Sequence, residues 1–501
     1  MFQKISVTWF HKINRMNSDI LNLEPNRLWT HFSALNAVPR PSKKEERVMA
    51  FMINFGQNLN LETFQDEVGN IIIKKPASAG MENRKTVVLQ SHLDMVHQKN
   101  AETDFDFLTQ GIQMYVEGDW VKAKGTTLGA DNGLGVAAIM AILESTDIPH
   151  PNLEALFTID EETGMTGAMG LQPNVLSGDI LLNLDTEEDD EIGVGCAGGL
   201  DVTATNFYLE EVTPKTTVGY RLSISGLQGG HSGMDIHKGL GNANKLLGRL
   251  LHDGFNKFGL RISKIDGGSL RNAIPRESVA LVAVDEVHAT AFEMATQSLI
   301  SAIETEYKIL EPELIITVTP TDLPRKVMEL TVQQPLLKSL IAIQNGVYRM
   351  SPDIEGLVET SNNVARVLVE NGQILIGCLT RSSVESSKWD LAQTLKATFE
   401  LAGCQVKFSG DYPGWTPDMK SSILEVVTTL YKGLHGTDPH VAACHAGLEC
   451  GILGQHYPDM EMISFGPNIK GAHSPDERAQ ISSVQKFWLF LKAILSSTPI
   501  K

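Results

Sequence analysis

The sequence predicts an α/β protein in which a mixed, mainly parallel sheet is covered by helices and a second, α+β domain is inserted. Short apolar runs at 86–90, 153–159 and 180–184 have the length and composition of buried strands. The near-continuous apolar run at 134–144 is typical of a buried helix. Strands that alternate with helices along the chain indicate a parallel sheet with helical layers.

The N-terminal region predicts helix followed by strand. Apolar residues recur at helical spacing over 28–59, interrupted by Pro39-Arg40-Pro41, and Gly69-Asn70 then leads into the β-branched run 71–73. Residues 1–18 contain three basic residues, no acid and no continuous apolar core, so a secretory signal is not expected. We interpret 1–18 as a non-native or disordered extension, with Met16 as a candidate start; a transit peptide is the alternative.

The pattern changes near Thr213-Pro214, where a second domain is predicted to begin. Runs typical of strands at 220–225, 279–284 and 373–379 alternate with helical patterns at 243–251, 291–303 and 391–401. This order suits an α+β insert with one sheet face covered. We therefore assign 19–212 and 410–501 to a catalytic, metal-binding domain and 213–409 to an inserted domain.

Composition excludes several classes of function. At 501 residues the chain is too long for one core. With 42 basic and 60 acidic residues its net charge is −18, which argues against nucleic acid or an anionic membrane as the main partner. The longest apolar run, 134–143, is too short to cross a bilayer. The five cysteines show no CxxC spacing, which fits a reducing cytoplasm.

Residues of the types that bind metals stand where apolar runs end, which is where an open α/β sheet places ligand-binding groups. They are His92, Asp94, Asp131, Glu161, Glu162, Asp185 and His473. Taken singly, each has an ordinary explanation. A His-x-Asp pair is usually a surface accident, Asp131 before a helix is a common N-cap, and adjacent acids are usually a solvated charge run. We interpret the acidic run at 186–191 in that last way.

Taken together, two histidines and three carboxylates suit two Zn²⁺ ions, and Co²⁺ or Mn²⁺ is an alternative because N/O sites accept several divalent ions. Such ions lie about 3.5 to 4 Å apart, activate water and polarise a carbonyl. Other hydrolase chemistries lack support, since the chain contains neither a G-x-S-x-G elbow nor an H-E-x-x-H helix.

At these residues the chain resembles the aminoacyl-histidine dipeptidase, or carnosinase-like, branch of the co-catalytic zinc peptidases, a family that also includes bacterial carboxypeptidases and tripeptidases. The resemblance extends from about residue 28 to the C-terminus. Its most specific segments are 87–98, 124–135, 181–199, 229–233, 270–275, 445–451 and 471–478. Many relatives have a lysine near the acid that corresponds to Asp131. This chain has Asn132-Gly133 there, a variant that the dipeptidase branch shares.

The resemblance implies a role for each residue. Asp131 bridges two zinc ions, with His92 and Asp185 on one and Glu162 and His473 on the other. Glu161 is the general base that takes a proton from water, and Asp94 orients His92. His231, in the inserted lid and dimerisation domain, helps hold the oxyanion, often across a dimer interface. Asn272 and Arg381 bind the substrate backbone and terminal carboxylate. From sequence alone, a histidine satisfied in a turn and a surface arginine remain the ordinary alternatives.

These observations predict a cytoplasmic two-zinc dipeptidase, a homodimer by resemblance, that hydrolyses small peptides, including dipeptides with C-terminal histidine. A tripeptidase or an N-acyl amino acid deacylase is the alternative on the same site, because the ligands fix the reaction while the pocket walls fix the substrate. A metal-binding homodimer without turnover is the alternative from another class. The presence of Glu161 argues against it.

Overall fold

Residues 19–501, described by a computed structural model, divide into two compact units. The first unit contains the described chain up to Gly195 together with Pro417–Ala443 and Ile452–Lys501, and the second contains Cys196–Thr416 and Cys444–Gly451. The extension expected at 1–18 lies outside the described residues.

The boundary between the units differs from the expected one at 212/213. The strand Gly198–Phe207 pairs with Gln373–Ser382 and Gln405–Tyr412, so its hydrogen bonds belong to the sheet of the second unit. Residues 444–451 also join that unit. Hydrogen bonding between distant segments therefore moves the boundary to Gly195, a position at which composition gives no signal.

The first unit is built on an eight-stranded sheet. Its strands, in spatial order, are Glu62–Gln65, Ile71–Lys75, Leu153–Thr158, Val87–His92, Ile180–Asn183, Glu461–Ser464, Glu191–Cys196 and His440–Cys444. The four central strands run parallel to one another, and the strands pairing at either side of them are antiparallel. Every residue of Val87–His92 and Leu153–Thr158 is buried, as near-continuous apolar strands in a covered parallel sheet should be.

Helices cover this sheet. The longer ones are Asn26–Asn36, Glu46–Asn58, Ala130–Glu144, Ser422–His435 and Ile481–Ser496, with Glu161–Gly164 and Thr166–Gly170 as short turns. The helix Ala130–Glu144 is buried along nearly its whole length. A four-stranded sheet in the same unit contains Ile469–Lys470, Arg478–Gln480, Trp120–Ala123 and Met114–Glu117. Among the described helices, none combines the length and hydropathy that a bilayer span requires.

The second unit contains a nine-stranded sheet. In spatial order its strands are Ile315–Thr321, Thr217–Ser225, Ser278–Asp285, Arg261–Gly267, Val358–Glu370, Gln373–Ser382, Gly198–Phe207 and Gln405–Tyr412, with Gly346–Met350 paired to Val358–Glu370. Its paired strands are antiparallel. The helices are Ala243–Phe258, Ala289–Tyr307, Leu330–Ala342 and Glu385–Leu401. Apolar residues of strands and helices form one core, for example Leu222, Val282, Leu247 and Phe292.

The predicted α/β class and inserted α+β architecture are therefore confirmed. The apolar runs at 86–90, 153–159 and 180–184 are strands, and 134–144 lies in the helix that begins at Ala130. The region 28–59 forms two helices separated at the Pro39-Arg40-Pro41 segment, because proline lacks the amide hydrogen that a helix interior needs.

Glu461 joins the sheet to the helix Ser422–His435. Its carboxylate accepts hydrogen bonds from Lys85 Nζ at 2.6 Å, from the hydroxyls of Ser421 and Ser422, and from the backbone amide of Ile423 at 2.9 Å. Burial acts to raise the pKa of Glu461, but Lys85 and these other donors lower it to about 2. The carboxylate thus serves as the acceptor for the first turn of the helix, in the manner of an N-cap.

We expect Glu461→Gln to lower the free energy of unfolding at pH 7 by about 1 to 2 kcal/mol, the usual cost of losing a cap. Because the folded-state pKa of Glu461 is below the unfolded value, its contribution is complete above pH 4.5 and is lost as pH falls toward 2. Urea unfolding of wild type and Glu461→Gln at pH 7, 5 and 4 measures the difference in their free energies of unfolding. Glu425→Gln, at an exposed position of the same helix, is the control. A difference that stays constant with pH contradicts the prediction.

Candidate metal centre

Four central strands deliver ligand-type side chains to one edge of the first sheet. His92 is the last residue of Val87–His92, Glu161 and Glu162 follow Leu153–Thr158, and Asp185 follows Ile180–Asn183. His473 comes from the loops after the fourth strand, Glu461–Ser464. The carboxyl ends of parallel strands meet at the same edge, which is where open α/β sheets bind ligands.

The segment 128–131 brings Asp131 to this edge. Gly129 has φ of 69°, a left-handed conformation that glycine adopts without steric cost, and it leads directly into the helix Ala130–Glu144. A Cβ atom on Gly135 would clash with Ser91 Oγ and come within 2.7 Å of Leu184 O. The helix therefore starts in close contact with the strands that carry the other candidate ligands. Asn132 Nδ2 donates to Leu184 O and to the Asp185 carboxylate, which ties Asp185 to the same helix.

The first group of candidate ligands is His92, Asp131 and Asp185. His92 Nε2 lies 3.1 Å from Asp131 Oδ1 and 3.5 Å from Asp185 Oδ1. One ligand-type atom from each residue falls within 4.8 Å of the other two. His92 is almost fully buried, and the two carboxylates are largely so.

The second group is Asp131, Glu162 and His473. His473 Nε2 lies 3.3 Å from Asp131 Oδ2 and 3.0 Å from Glu162 Oε2. The two oxygens of Asp131 therefore face different histidines, as a bridging carboxylate requires. Glu161 Oε2 lies 4.0 Å from His92 Nε2, beside the first group.

The carboxylates favour positive charge at both imidazoles. Burial alone would lower the pKa of His92, but Asp185, Asp131 and Asp94 raise it well above its ordinary value. Asp131 and Glu162 raise the pKa of His473 to about 11. A surplus of negative charge around two imidazoles is the electrostatic requirement for binding cations at deprotonated ligands.

The donor set fits two divalent ions. Imidazole nitrogens with carboxylate oxygens are the ligands that Zn²⁺ binds in catalytic sites. Glu162 Oε1 is buried and accepts no hydrogen bond from any described residue, although buried polar atoms are normally satisfied. A cation would satisfy it.

Asp94 connects both sides of this centre. Its Oδ1 lies 3.4 Å from His92 Nδ1 and accepts the backbone amide of Glu161 at 3.0 Å, while Oδ2 accepts that of Glu162 at 3.3 Å. Sequence predicted only the contact with His92. Asp94 also fixes the turn that presents the two glutamates.

Arg40 is a buried residue next to the candidate centre that the sequence interpretation missed. It is 1% exposed, and its guanidinium donates to the carbonyl oxygens of Leu93, Asp94 and Gly129 and to Asn36 Oδ1. It thus holds the end of the strand Val87–His92 and the 128–131 segment. An arginine between two prolines belongs to no helix or strand pattern, so the sequence predicted only a helix break at this point.

Glu477 holds the 128–131 segment from another direction. Its Oε2 accepts the amides of Leu128 at 2.6 Å and Gly129 at 2.9 Å, and its Oε1 accepts those of Ala130 at 2.7 Å and Asp131 at 3.3 Å. Because Glu477 lies four residues after His473, one carboxylate connects the two segments that supply Asp131 and His473. The specific segment 471–478 contained this residue, but neither spacing nor residue type distinguished it from a surface acid.

The acidic run at 186–191 is only partly solvated, which corrects the expectation for Glu187. Glu187 is half-buried, and burial together with Asp131 and Asp185 raises its pKa to about 8. Glu187 lies two residues after Asp185 in the chain, whereas Glu188 and Asp190 are exposed.

The remaining candidate residues lie in the second unit, and the structure brings them together there. His231 belongs to a short hairpin in which Gly230–His231 pairs with Ala273–Ile274. Its Nδ1 accepts the amides of Gly233 and Met234, so the ring proton is assigned to Nε2. Burial and Arg381 lower the pKa of His231, which favours the neutral ring. A neutral imidazole with its proton on Nε2 is a hydrogen-bond donor.

Ser232 joins Asn272 and Arg381 to this hairpin. Its amide donates to Asn272 O at 2.8 Å, and its hydroxyl accepts from Arg381 Nε at 3.4 Å. Arg381 is 4% exposed and also donates to Tyr412 Oη at 2.9 Å, so it is not a surface arginine. His445, in the nearby 445–451 segment, is buried against Ser361 Oγ at 2.7 Å.

Comparison with known proteins places this geometry in a family. The model of peptidase family M20/M25/M40 matches residues 88–497. The cytosol non-specific dipeptidase of Escherichia coli (strain K12) is 42% identical over 484 residues, which cover 97% of this chain and 100% of that protein.

Solved structures agree. The aminoacylhistidine dipeptidase of Vibrio alginolyticus superposes with a TM-score of 0.91 at 44% identity, covering 96% of this chain and 98% of that one. A tripeptidase from Staphylococcus aureus shares the fold, with a TM-score of 0.55 at 15% identity and coverage of 95% and 98%.

Proposed function

The chain belongs to peptidase family M20/M25/M40, and we propose that it is a cytoplasmic metallo-dipeptidase acting on unblocked dipeptides, including those with C-terminal histidine. One observation carries the proposal: two groups of ligand-type residues share Asp131 at the carboxyl edge of a parallel sheet, with Glu161 beside them. Such an arrangement suits hydrolysis by activated water.

The relatives support the dipeptide as the substrate class. Two relatives that match over nearly their whole length, at 42% and 44% identity, are named cytosol non-specific dipeptidase and aminoacylhistidine dipeptidase. Cleavage of Xaa-His peptides is the more specific part of the proposal, because one of the two names mentions histidine and the other does not.

His92, Asp131 and Asp185 would hold one divalent ion, and Asp131, Glu162 and His473 the other, with Zn²⁺ as the first choice and Co²⁺ or Mn²⁺ as alternatives. Bound there, the ions would polarise the peptide carbonyl and make water a nucleophile at neutral pH. The buried, unsatisfied Glu162 Oε1 supports this assignment.

Glu161 is the proposed general base. Its carboxylate takes a proton from the water that attacks the peptide carbonyl carbon, and returns that proton to the leaving amine nitrogen when the C–N bond breaks. Asp94 positions this base, because it accepts the backbone amides of Glu161 and Glu162. Through the same carboxylate, Asp94 also orients His92.

Residues of the second unit are proposed to bind substrate. The Nε2 proton of His231 suits a developing oxyanion, and the guanidinium of Arg381 suits the terminal carboxylate. Asn272 is assigned to the substrate backbone by resemblance alone. The homodimer also rests on resemblance and is tested by sedimentation.

We expect protein reconstituted with Zn²⁺ to hydrolyse Ala-His, carnosine and Gly-Gly, and to cleave a tripeptide and an N-acetyl amino acid about 100-fold more slowly or worse, the discrimination that mismatched polar groups impose. Dialysis against a chelator should abolish the activity, and adding metal back should restore it. Product release by chromatography is the measurement.

The other outcomes separate the alternatives. Faster cleavage of the tripeptide or of the N-acetyl amino acid would assign the site to a tripeptidase or a deacylase. If no substrate is turned over while metal analysis finds both ions bound, the catalytic proposal fails and a non-catalytic metal-binding role remains.

A further inference from the structure

Glu45 is a buried carboxylate that contacts the turn carrying Glu161. It is 5% exposed, and its Oε1 accepts the backbone amides of Lys43 at 2.8 Å and of Asp160 at 3.2 Å. Asp160 directly precedes Glu161 and stands at the start of the short helix Glu161–Gly164. All of these residues belong to the first unit. Glu45 therefore holds the backbone one residue before the proposed general base.

Asp160 has an unusual backbone conformation. Its φ of 55° and ψ of 37° lie in the left-handed region, which a residue with a Cβ atom adopts only at a cost in free energy. Such a conformation persists where surrounding contacts enforce it, and it is concentrated at functional sites. At this position it turns the chain between the strand Leu153–Thr158 and the helix Glu161–Gly164. The conformation of Asp160 thus sets the direction in which Glu161 leaves the end of the strand.

The side chain of Asp160 closes the same turn. Its carboxylate accepts the hydroxyl of Thr163 and, at 2.8 Å, that of Thr166. Lys43 Nζ lies 3.4 Å from Asp160 Oδ2. Contacts to the amide and to the carboxylate of Asp160 therefore both keep the turn in one conformation.

Glu45, Asp94 and Asp160 form a cluster of three buried carboxylates, whose oxygens approach within 4.8 Å of one another. Glu45 and Asp94 together accept three successive backbone amides, those of residues 160, 161 and 162. Like charges in a buried region repel, so the cluster opposes folding. Because each of the three carboxylates accepts amides or hydroxyls, the arrangement is explained by fixing the turn and does not require a further cation.

We propose that Glu45 is a positioning residue for Glu161, which it keeps aimed at the attacking water by holding the amide of Asp160. This inference rests on the proposed dipeptidase function. A general base must lie within hydrogen-bond reach of the proton that it takes. A displacement of about 1 Å, caused by a change away from the reacting atoms, can lower the rate by about 100-fold. Glu45 acts through Glu161 and not on the substrate itself.

Glu45→Ala removes the acceptor of both amides. We expect kcat for Ala-His to fall by about 10- to 100-fold and KM to change by less than about threefold, because the base is displaced and the substrate contacts are not. Glu45→Gln keeps an acceptor oxygen at the same reach and should recover most of the loss. Glu46→Ala, at the exposed neighbouring position, should match wild type. Steady-state hydrolysis, expressed per metal-loaded enzyme, is the measurement.

A double-mutant cycle separates positioning of the base from a general structural role. In the Glu161→Gln background, adding Glu45→Ala should change kcat by less than about twofold, because the effects of residues that act as a unit do not add. Urea unfolding of the metal-free proteins and metal analysis accompany the kinetics, and metal content should be the same in all variants. If Glu45→Ala does not fold, Glu45→Asp takes its place. It keeps the charge but withdraws the carboxylate by one methylene, and the same fall in kcat is expected.

Three outcomes overturn the inference. An equal loss in both backgrounds, or loss of a bound ion in Glu45→Ala, would give Glu45 a structural or metal-supporting role. Unchanged kcat in the folded variant, with wild type active on dipeptides, would refute the assignment of Glu45 alone. Failure of wild type to cleave any dipeptide would refute the proposed function and this inference with it.

Discussion

Replacing Glu161 by glutamine is expected to lower kcat by about 100- to 10,000-fold, the usual contribution of a general acid–base. Glutamine has nearly the same shape but cannot accept the proton. Asp94 accepts the backbone amide at 161, which the substitution leaves in place, so the turn should keep its position. Steady-state hydrolysis of Ala-His, with metal content measured on the same sample, tests this.

The identical change at Glu67, an exposed acid of the same unit, is the matched control and should retain full activity. Thermal unfolding should be unchanged in both variants. If Glu161→Gln loses a metal ion along with activity, Glu161 is a ligand and not a base. Activity within a few-fold of wild type would exclude it from proton transfer.

The second large effect is expected at Glu477. In Glu477→Ala the amides of Leu128, Gly129, Ala130 and Asp131 lose their acceptor inside the protein. Each buried donor left unsatisfied costs about 1 to 3 kcal/mol, and the costs are not additive, so we expect a loss of about 3 to 5 kcal/mol in the free energy of unfolding. Zn²⁺ affinity should fall by about 10- to 100-fold, as when residues supporting metal ligands are removed.

Urea unfolding of the metal-free protein and calorimetric titration with Zn²⁺ measure these two effects separately. Glu477→Gln keeps one acceptor oxygen and should fall between wild type and Glu477→Ala. Asp476→Asn, at the exposed position next to it, should match wild type in both assays. Lower stability with unchanged Zn²⁺ affinity would show that Glu477 supports the fold but does not position Asp131.

The residues that the sequence singled out for the candidate centre lie together in the structure because they follow buried strands. Apolar runs mark strands, strand ends meet at one sheet edge, and His92, Glu161, Glu162 and Asp185 stand directly at those ends. Resemblance supplied the pairing of residues into two groups. Both groups are among the clusters of ligand-type atoms that lie within 4.8 Å of one another, and a further cluster of His92, Glu161 and Glu162 crosses them, so the pairing stays a prediction.

The residues that sequence did not distinguish act through long-range hydrogen bonds. Arg40 and Glu477 are buried residues that bind backbone groups about 50 to 350 positions away in the chain. Periodicity reports on neighbours within a helix or strand and is silent about such contacts. The burial of Glu187 and the start of the second unit at Cys196 depend on tertiary pairing in the same way.

Two buried residues of opposite charge hold the 128–131 segment, Arg40 by the carbonyl oxygen of Gly129 and Glu477 by the backbone amides. Neither is a candidate ligand, so these hydrogen bonds do not depend on bound ions, and we expect the segment to keep its position without them. An apoenzyme built in this way is expected to take up divalent ions without refolding. Its activity in a cell would then follow the supply of free divalent ions, with each vacated centre ready to be refilled.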